Sequence, residues 1–156
     1  MTSPYPRFWW PTLISTTAAT VSVSVHHIFR LGPELIIPGI VLVLLPIVLL
    51  LWARARSSIA ATSIFAVLVA LIFVWFGVVD GILDHVFKAV GLKHVTLLPG
   101  GEAELVDTVY SLGDAATSAA FYEATGLVEA AASIAMLIFA AAFVVNRVKG
   151  KRKVEA

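Results

Sequence analysis

The feature that most constrains this chain is an uninterrupted apolar stretch, residues 35–52, which carries no charged side chain. About 20 apolar residues in a helix cross the roughly 30 Å hydrocarbon core of a bilayer. Three further stretches have a comparable length and composition, at about 8–29, 59–79 and 120–145. The sequence therefore predicts an all-α fold, an integral membrane four-helix bundle.

The composition also favours a membrane protein over a soluble one. Hydrophobic residues make up 60% of the chain and charged residues 13%, whereas a soluble domain is about half apolar and about a quarter charged. Too little polar surface is left to cover a water-soluble globule. Since the chain has no cysteine, disulfides, thiolate metal sites and cysteine nucleophiles are excluded.

Basic residues are distributed unevenly between the two sides of such a bundle. Eight of the 11 fall before the first helix, between the second and third helices, or after the fourth, and the other three are Arg30, Lys88 and Lys93. Because Lys and Arg are enriched in cytoplasmic segments, we predict a multi-pass protein of the cell membrane with both termini in the cytoplasm. The basic tail suits the anionic lipid of that leaflet, and no nucleic-acid partner is expected.

The connection between the third and fourth helices is then extracytoplasmic. Residues 80–90 keep a helical apolar pattern, so the third helix is expected to continue past the membrane until Gly91 breaks it. Whole helices are predicted at about 8–29, 35–53, 59–90 and 118–146, in a single transmembrane domain of residues 1–156. The outer loop, about 91–117, includes an amphipathic segment at 102–112 and is long enough to dock a protein partner.

The first and fourth helices carry residues suited to contacts inside the bundle, whereas the apolar second helix is expected to face lipid. Hydroxyl side chains recur every four residues along the first helix: Thr12, Thr16, Thr20 and Ser24. Such hydroxyls either bond to carbonyls of their own helix or line a polar cavity. In the fourth helix, Gly126 and Ala130 allow a close helix approach, either within the chain or in a homodimer.

All four histidines and most of the acids gather on the predicted outer side, near the ends of three helices. The candidate metal ligands are His26, His27, Asp80, Asp84, His85 and Glu129. Further candidates for the same pocket are Glu123, His94, Thr20 and Ser24. Imidazole combined with carboxylate suits a divalent metal such as zinc, copper or iron better than calcium.

Glu129 is the candidate that is least expected in a membrane-spanning helix, because its side chain is acidic. It is predicted to lie about four residues inside the fourth span, or roughly 6 Å into the hydrocarbon. An acid at that depth costs a few kcal/mol and must be neutral, paired or coordinated. Three interpretations are open. The first is a polar cap, in which Glu129 bonds a Ser or Thr and Asp80, Asp84 and Lys88 are neighbours on their helix. The second is a metal site, and the third is a proton or cation relay between Glu129 and His27.

One segment carries a resemblance to other proteins. Residues 76–95 read FGVVDGILDHVFKAVGLKHV, which resembles a segment of a little-characterised family of small bacterial four-helix membrane proteins, with the pattern acid-Gly-x-x-Asp-His…His. The resemblance implies four helices and an aspartate–histidine site at Asp80, Asp84, His85 and His94. Val86 and Lys93 stand where that family has further histidines.

The leading functional interpretation is a non-enzymatic membrane protein that binds or handles a metal or another cation. One alternative is a membrane enzyme acting on a lipid or quinone-like substrate, with a pocket that opens between the first and fourth helices. The other is an accessory subunit of a membrane complex, whose outer loop docks a partner.

Overall fold

The computed structural model describes residues 7–94 and 112–155, with side chains up to residue 150. The predicted amphipathic segment at 102–112 and most of the outer loop lie outside the described residues. Within them the chain is helical and contains no strand. The predicted all-α fold is therefore confirmed.

Four long helices make up the described chain. They are α1, Trp9–Leu31; α2, Ile36–Ala55; α3, Ile59–Ala89; and α4, Ala115–Glu155. A 3₁₀ turn, Pro33–Leu35, links α1 to α2. α4 starts earlier than predicted because the Asp114 carboxylate accepts a hydrogen bond of 2.7 Å from the Thr117 backbone N–H, which caps the helix. The same bond lowers the pKa of the Asp114 carboxyl.

α3 is continuous through residue 80, as predicted, but its winding changes along its length. Its first part, Ile59–Ile72, is α-helical, and Phe73–Val86 is a π-helix. In an α-helix residues five apart point roughly 140° away from each other, whereas the wider turn of i→i+5 hydrogen bonding makes this angle much smaller. The π-helix therefore brings Asp80 and His85, five residues apart, to the same face of α3.

α3 and α4 pack closely through small residues. A Cβ added at Gly81 would lie 2.9 Å from Cα of Ala130, and one added at Gly77 would lie 2.7 Å from Cβ of Ser133. The close approach predicted for Ala130 thus occurs within the chain. The homodimer through the fourth helix stays a prediction.

The exposed residues of α1 and α2 are apolar, and many polar side chains are buried inside the bundle. The exposed residues of α1 are Trp10, Pro11, Ile14, Ala18, Val21, Val25 and Leu31. Its buried hydroxyl residues are Thr12, Ser15, Thr16, Thr20 and Ser24. Every exposed residue of α2 is also apolar, as expected for a helix that faces lipid. This is the reverse of a soluble protein, in which polar groups cover the surface.

Three of the helices are long and apolar enough to cross a membrane: Pro33–Ala55, Ile59–Ala89 and Ala115–Gly150. These spans fit a multi-pass membrane protein. α1 is also long enough to cross a membrane, at 23 residues, but its hydroxyl and histidine side chains lower its mean hydropathy.

The two ends of the bundle differ in composition. At one end Trp9, Phe65 and Phe143 pack with Leu50 and Met136, and we call these five residues the aromatic core. Beside them, the Arg54 guanidinium lies 4.8 Å from the centre of a Trp9 ring, and Arg147 donates a hydrogen bond of 2.6 Å to the Ala53 carbonyl. The start of α1, the α2–α3 turn and the late part of α4 therefore share this end.

Candidate metal centre

At the other end, histidines and carboxylates from α1, α3 and α4 meet inside the bundle. We call these residues the histidine–carboxylate cluster: His26, His27, Asp80, His85 and Glu129. They form two groups whose donor atoms lie within 4.8 Å of one another, His26–Asp80–His85 and His27–Asp80–Glu129. The side chains of His26, His85 and Glu129 are 0% exposed, that of Asp80 11% and that of His27 12%. Five of the six predicted metal ligands are thus brought together.

In the first group the donor atoms are spaced like the corners of a metal coordination shell. The Nε2 atoms of His26 and His85 are 3.2 Å apart, and Nε2 of His26 lies 3.5 Å from Oδ2 of Asp80. A tetrahedral ion with ligands at 2.0–2.2 Å separates its donors by about 3.3–3.6 Å. The residues present therefore fit an ion of that size.

The second group is wider and contains two carboxylates. Nε2 of His27 is 3.9 Å from Oδ2 of Asp80, and Nδ1 of His27 is 3.8 Å from Oε2 of Glu129. Among the residues that the structure describes, neither oxygen of Glu129 has a hydrogen-bond partner, nor does Oδ2 of Asp80. The polar-cap interpretation, in which Glu129 bonds a Ser or Thr, is therefore not the arrangement found. Because an unpartnered buried carboxylate is costly, these oxygens are suited to hold a cation.

The Nδ1 atoms of His27 and His85 each face an acceptor. Nδ1 of His27 lies 3.0 Å from the Val23 carbonyl oxygen, which only accepts, so this nitrogen carries the ring proton. Nδ1 of His85 lies 2.9 Å from Oε2 of Glu123, and the carboxylate accepts its proton in the same way. Both rings are left with an unprotonated Nε2, which is the arrangement typical of metal-binding histidines.

His26 contacts Thr125 through its Nδ1 atom. The Thr125 hydroxyl lies 2.9 Å from the carbonyl oxygens of Phe121 and Tyr122 and also 2.9 Å from Nδ1 of His26. When its proton is donated to a carbonyl, the hydroxyl accepts from Nδ1 of His26. In that tautomer, the lone pairs on Nε2 of His26 and His85 face each other beside the Asp80 carboxylate. Three electron-rich atoms at such distances repel one another unless a cation or a proton lies between them.

Residues around the cluster support the rings, and sequence reasoning missed most of them. The Tyr122 ring stacks on His26 with centroids 4.4 Å apart, and Lys88 donates a hydrogen bond of 2.7 Å to Glu123. A Cβ at Gly126 would lie 2.1 Å from the His85 ring. Gly126 therefore makes room for a ligand, a role that its spacing from Ala130 did not indicate.

The remaining candidates lie outside the two groups. Asp84 is buried and His94 follows the end of α3 half-buried, and neither belongs to either group. The hydroxyls of Thr20 and Ser24 donate to the carbonyls of Thr16 and Thr20, at 2.9 and 2.7 Å. These two hydroxyls thus bond to their own helix, and Ser24 also donates to the Gly39 carbonyl at 3.2 Å and lines the cavity beside His27.

A cavity of about 250 Å³ reaches the cluster from the side of α2. Its lining is mostly apolar, with Val23, Leu42 and Phe76 close to His27. It lies between α1, α2 and α3, whereas the pocket predicted from the sequence opened between the first and fourth helices.

No protein-family model, curated protein or solved structure matches this chain. The histidine–carboxylate cluster is therefore the feature from which a function can be inferred.

Proposed function

We propose that this chain is a four-helix integral membrane protein that binds a divalent transition metal inside its bundle. Three sufficiently long apolar helices and the apolar outer face of α1 support four spans. The basic residues near the aromatic core favour that end as the cytoplasmic one, with both termini there. The cluster would then face the extracytoplasmic side.

One observation carries the metal assignment. The Nδ1 atoms of His27 and His85 donate to acceptors, which leaves their Nε2 atoms unprotonated, and these rings lie with His26 in one buried cluster with the carboxylates of Asp80 and Glu129. With neutral rings and ionised carboxylates, the cluster contains five electron-donating side chains, whose repulsion a cation or a proton must offset. Such a set is electrostatically unfavourable without a cation.

The types of donor atom limit which metal ions suit the site. Imidazole nitrogen with carboxylate oxygen suits zinc, iron or copper, and disfavours calcium and magnesium, which prefer all-oxygen shells. We infer a protein that holds or passes on such an ion, without catalysing a reaction.

The test is metal content, measured by elemental analysis on protein purified in detergent and incubated with zinc. Wild-type protein is expected to retain zinc after desalting, and His85→Ala to lose much of it. His94→Ala is the matched control, since it removes a histidine outside both groups, and is expected to retain wild-type zinc. Wild-type protein without zinc would contradict the proposal and favour a proton shared between His26 and His85.

The apolar cavity beside His27 favours a second candidate, an enzyme or binding protein for a lipid or quinone-like molecule. A cavity of about 250 Å³ is slightly below the usual range for small-molecule sites, about 300–1,000 Å³, and suits a chain segment or one ring. Mass spectrometry of organic extracts tests this candidate. An isoprenoid or acyl compound retained by wild-type protein and lost in Leu42→Trp would support it, and no retained compound would contradict it.

A further inference from the structure

We propose that the cluster holds two metal ions, one in each group, with Asp80 as the ligand they share. This inference rests on the proposed metal-binding function and adds the number of ions and the assignment of ligands. Asp80 is the only residue common to both groups. A carboxylate can bridge two ions, and two-metal sites place their ions about 3.5–4 Å apart.

The histidines divide between the groups because of their positions on α1. His26 and His27 are consecutive, and consecutive residues on an α-helix do not face each other. Their ring planes are inclined by 72°, with centroids 5.3 Å apart. Nε2 of His26 and Nε2 of His27 approach the same Asp80 oxygen at 3.5 and 3.9 Å. The two rings thus bring separate lone pairs to one carboxylate, as a bridged pair of ions requires.

A single ion would leave part of the cluster unsatisfied. An ion held by His26, His85 and Asp80 would not include Glu129, which belongs to the second group alone. Both oxygens of the fully buried Glu129 would still lack a hydrogen-bond partner among the described residues. A second ion held by His27, Asp80 and Glu129 supplies that partner, and the two carboxylates of this group favour a cation there.

The groups around the donor atoms are mostly acidic. Asp80 and Glu129 are the carboxylates of the two groups, and Glu123 accepts from His85 on the outer side. Asp84 is buried on the turn of α3 that carries His85. Lys88 is bound to Glu123 at the surface and the buried Arg30 lies over the Tyr122 ring, so with neutral imidazoles these side chains keep a net negative charge, which favours cations.

The test counts zinc ions per chain after incubation with excess zinc and desalting. Wild-type protein is expected to hold two ions, and Glu129→Gln and His85→Ala one each. Asp80→Asn, which weakens the shared ligand, is expected to hold fewer than either. His94→Ala is expected to hold two. Circular dichroism and size-exclusion profiles matching the wild type establish that each variant is folded.

The two proposals fail in different ways. Wild-type protein with no zinc would overturn both of them. Wild-type protein with one zinc, lost in His85→Ala and retained in Glu129→Gln, would leave the metal site and overturn the second ion. Two ions retained in Glu129→Gln would remove Glu129 as a ligand and overturn the assignment of the second group.

Binding of Mn²⁺ gives an independent readout. Two ions bridged by Asp80 should show a spin-coupled electron paramagnetic resonance spectrum, and a spectrum of isolated ions would contradict the bridge.

Discussion

The same helices form both ends of the bundle, one end with apolar side chains and the other with polar ones. In the aromatic core, Trp9 and Phe65 pack against Phe143 with ring centroids 6.2 and 6.4 Å away. In the histidine–carboxylate cluster, the same helices bury imidazoles and carboxylates, and three carboxylate oxygens have no hydrogen-bond partner within 7–94 and 112–150. The core shows that apolar side chains suffice to close this bundle. The polar end is therefore not a requirement of the fold.

Burying charged groups costs more free energy than burying apolar ones, so the presence of the cluster is informative about function. Moving charged groups into a low-dielectric interior costs several kcal/mol each, and well-packed apolar residues are often as stable or more stable in their place. The core contributes dispersion contacts and the cluster contributes ligands. If this comparison is correct, substitutions at the two ends should have opposite effects on stability and on metal binding.

The largest expected effect comes from Asp80→Asn. Both groups lose an anionic ligand, so zinc per chain should fall to less than a tenth of the wild-type value. The metal-free variant should unfold at the same temperature as metal-free wild type or higher, because a buried charge has been removed. Elemental analysis and thermal melts followed by circular dichroism measure both quantities.

Asp114→Asn is the matched control for that variant. It makes the same chemical change at an exposed helix cap, where Asn also caps well. Wild-type zinc content is expected. An equal loss of zinc in both variants would contradict a specific role for Asp80.

Gly126→Ala should remove the ion of the first group. The new Cβ would overlap the His85 ring, which must move away from His26. Overpacking costs about 1–3 kcal/mol, so stability should fall moderately while zinc falls to about half. Gly150→Ala, where a Cβ has nothing within 4 Å, should change neither quantity.

These examples show which parts of the molecule the sequence could predict. Hydropathy predicted the helices because a bilayer imposes their length, and the depth of Glu129 marked it as unusual without any contact being known. The π-helix was not predictable from α-helical spacing, which puts Asp84 rather than His85 on the face of Asp80; His85 was a candidate because of its residue type and position. Thr125 was not singled out and Gly126 was predicted only as a packing residue, since helix-bonded threonines and packing glycines are common in membrane helices.

Glu123→Gln should weaken binding at the first group without abolishing it. Glu123 accepts from Nδ1 of His85 and lies outside both groups, and loss of such an outer partner typically weakens metal affinity about 10–100-fold. Competition with a chelator at fixed pH measures the change. Glu34→Gln, an exposed acid in the α1–α2 link, serves as the control, and an equal weakening there would point to a general charge effect.

Phe143→Ala should show the reverse pattern, with a loss of stability and no loss of zinc per folded chain. In lipid the transfer part of the cost is small, so the cavity left behind should cost roughly 1–3 kcal/mol. Thermal unfolding and elemental analysis of the folded fraction test this. A drop in zinc per folded chain would show that the two ends are coupled.

Metal binding should also weaken as the pH is lowered. Histidine binds metal only when its ligating nitrogen is unprotonated, so protons compete with the ion and affinity is expected to be highest on the alkaline side. Zinc retention measured across a pH series gives the profile. Retention independent of pH would contradict histidine ligation.

The most direct test of the central claim is X-ray absorption at the zinc edge on the loaded protein. We expect nitrogen and oxygen ligands at about 2.0–2.2 Å, together with outer-shell carbon scattering from at least two imidazoles. A spectrum with oxygen ligands alone and no imidazole scattering would contradict it.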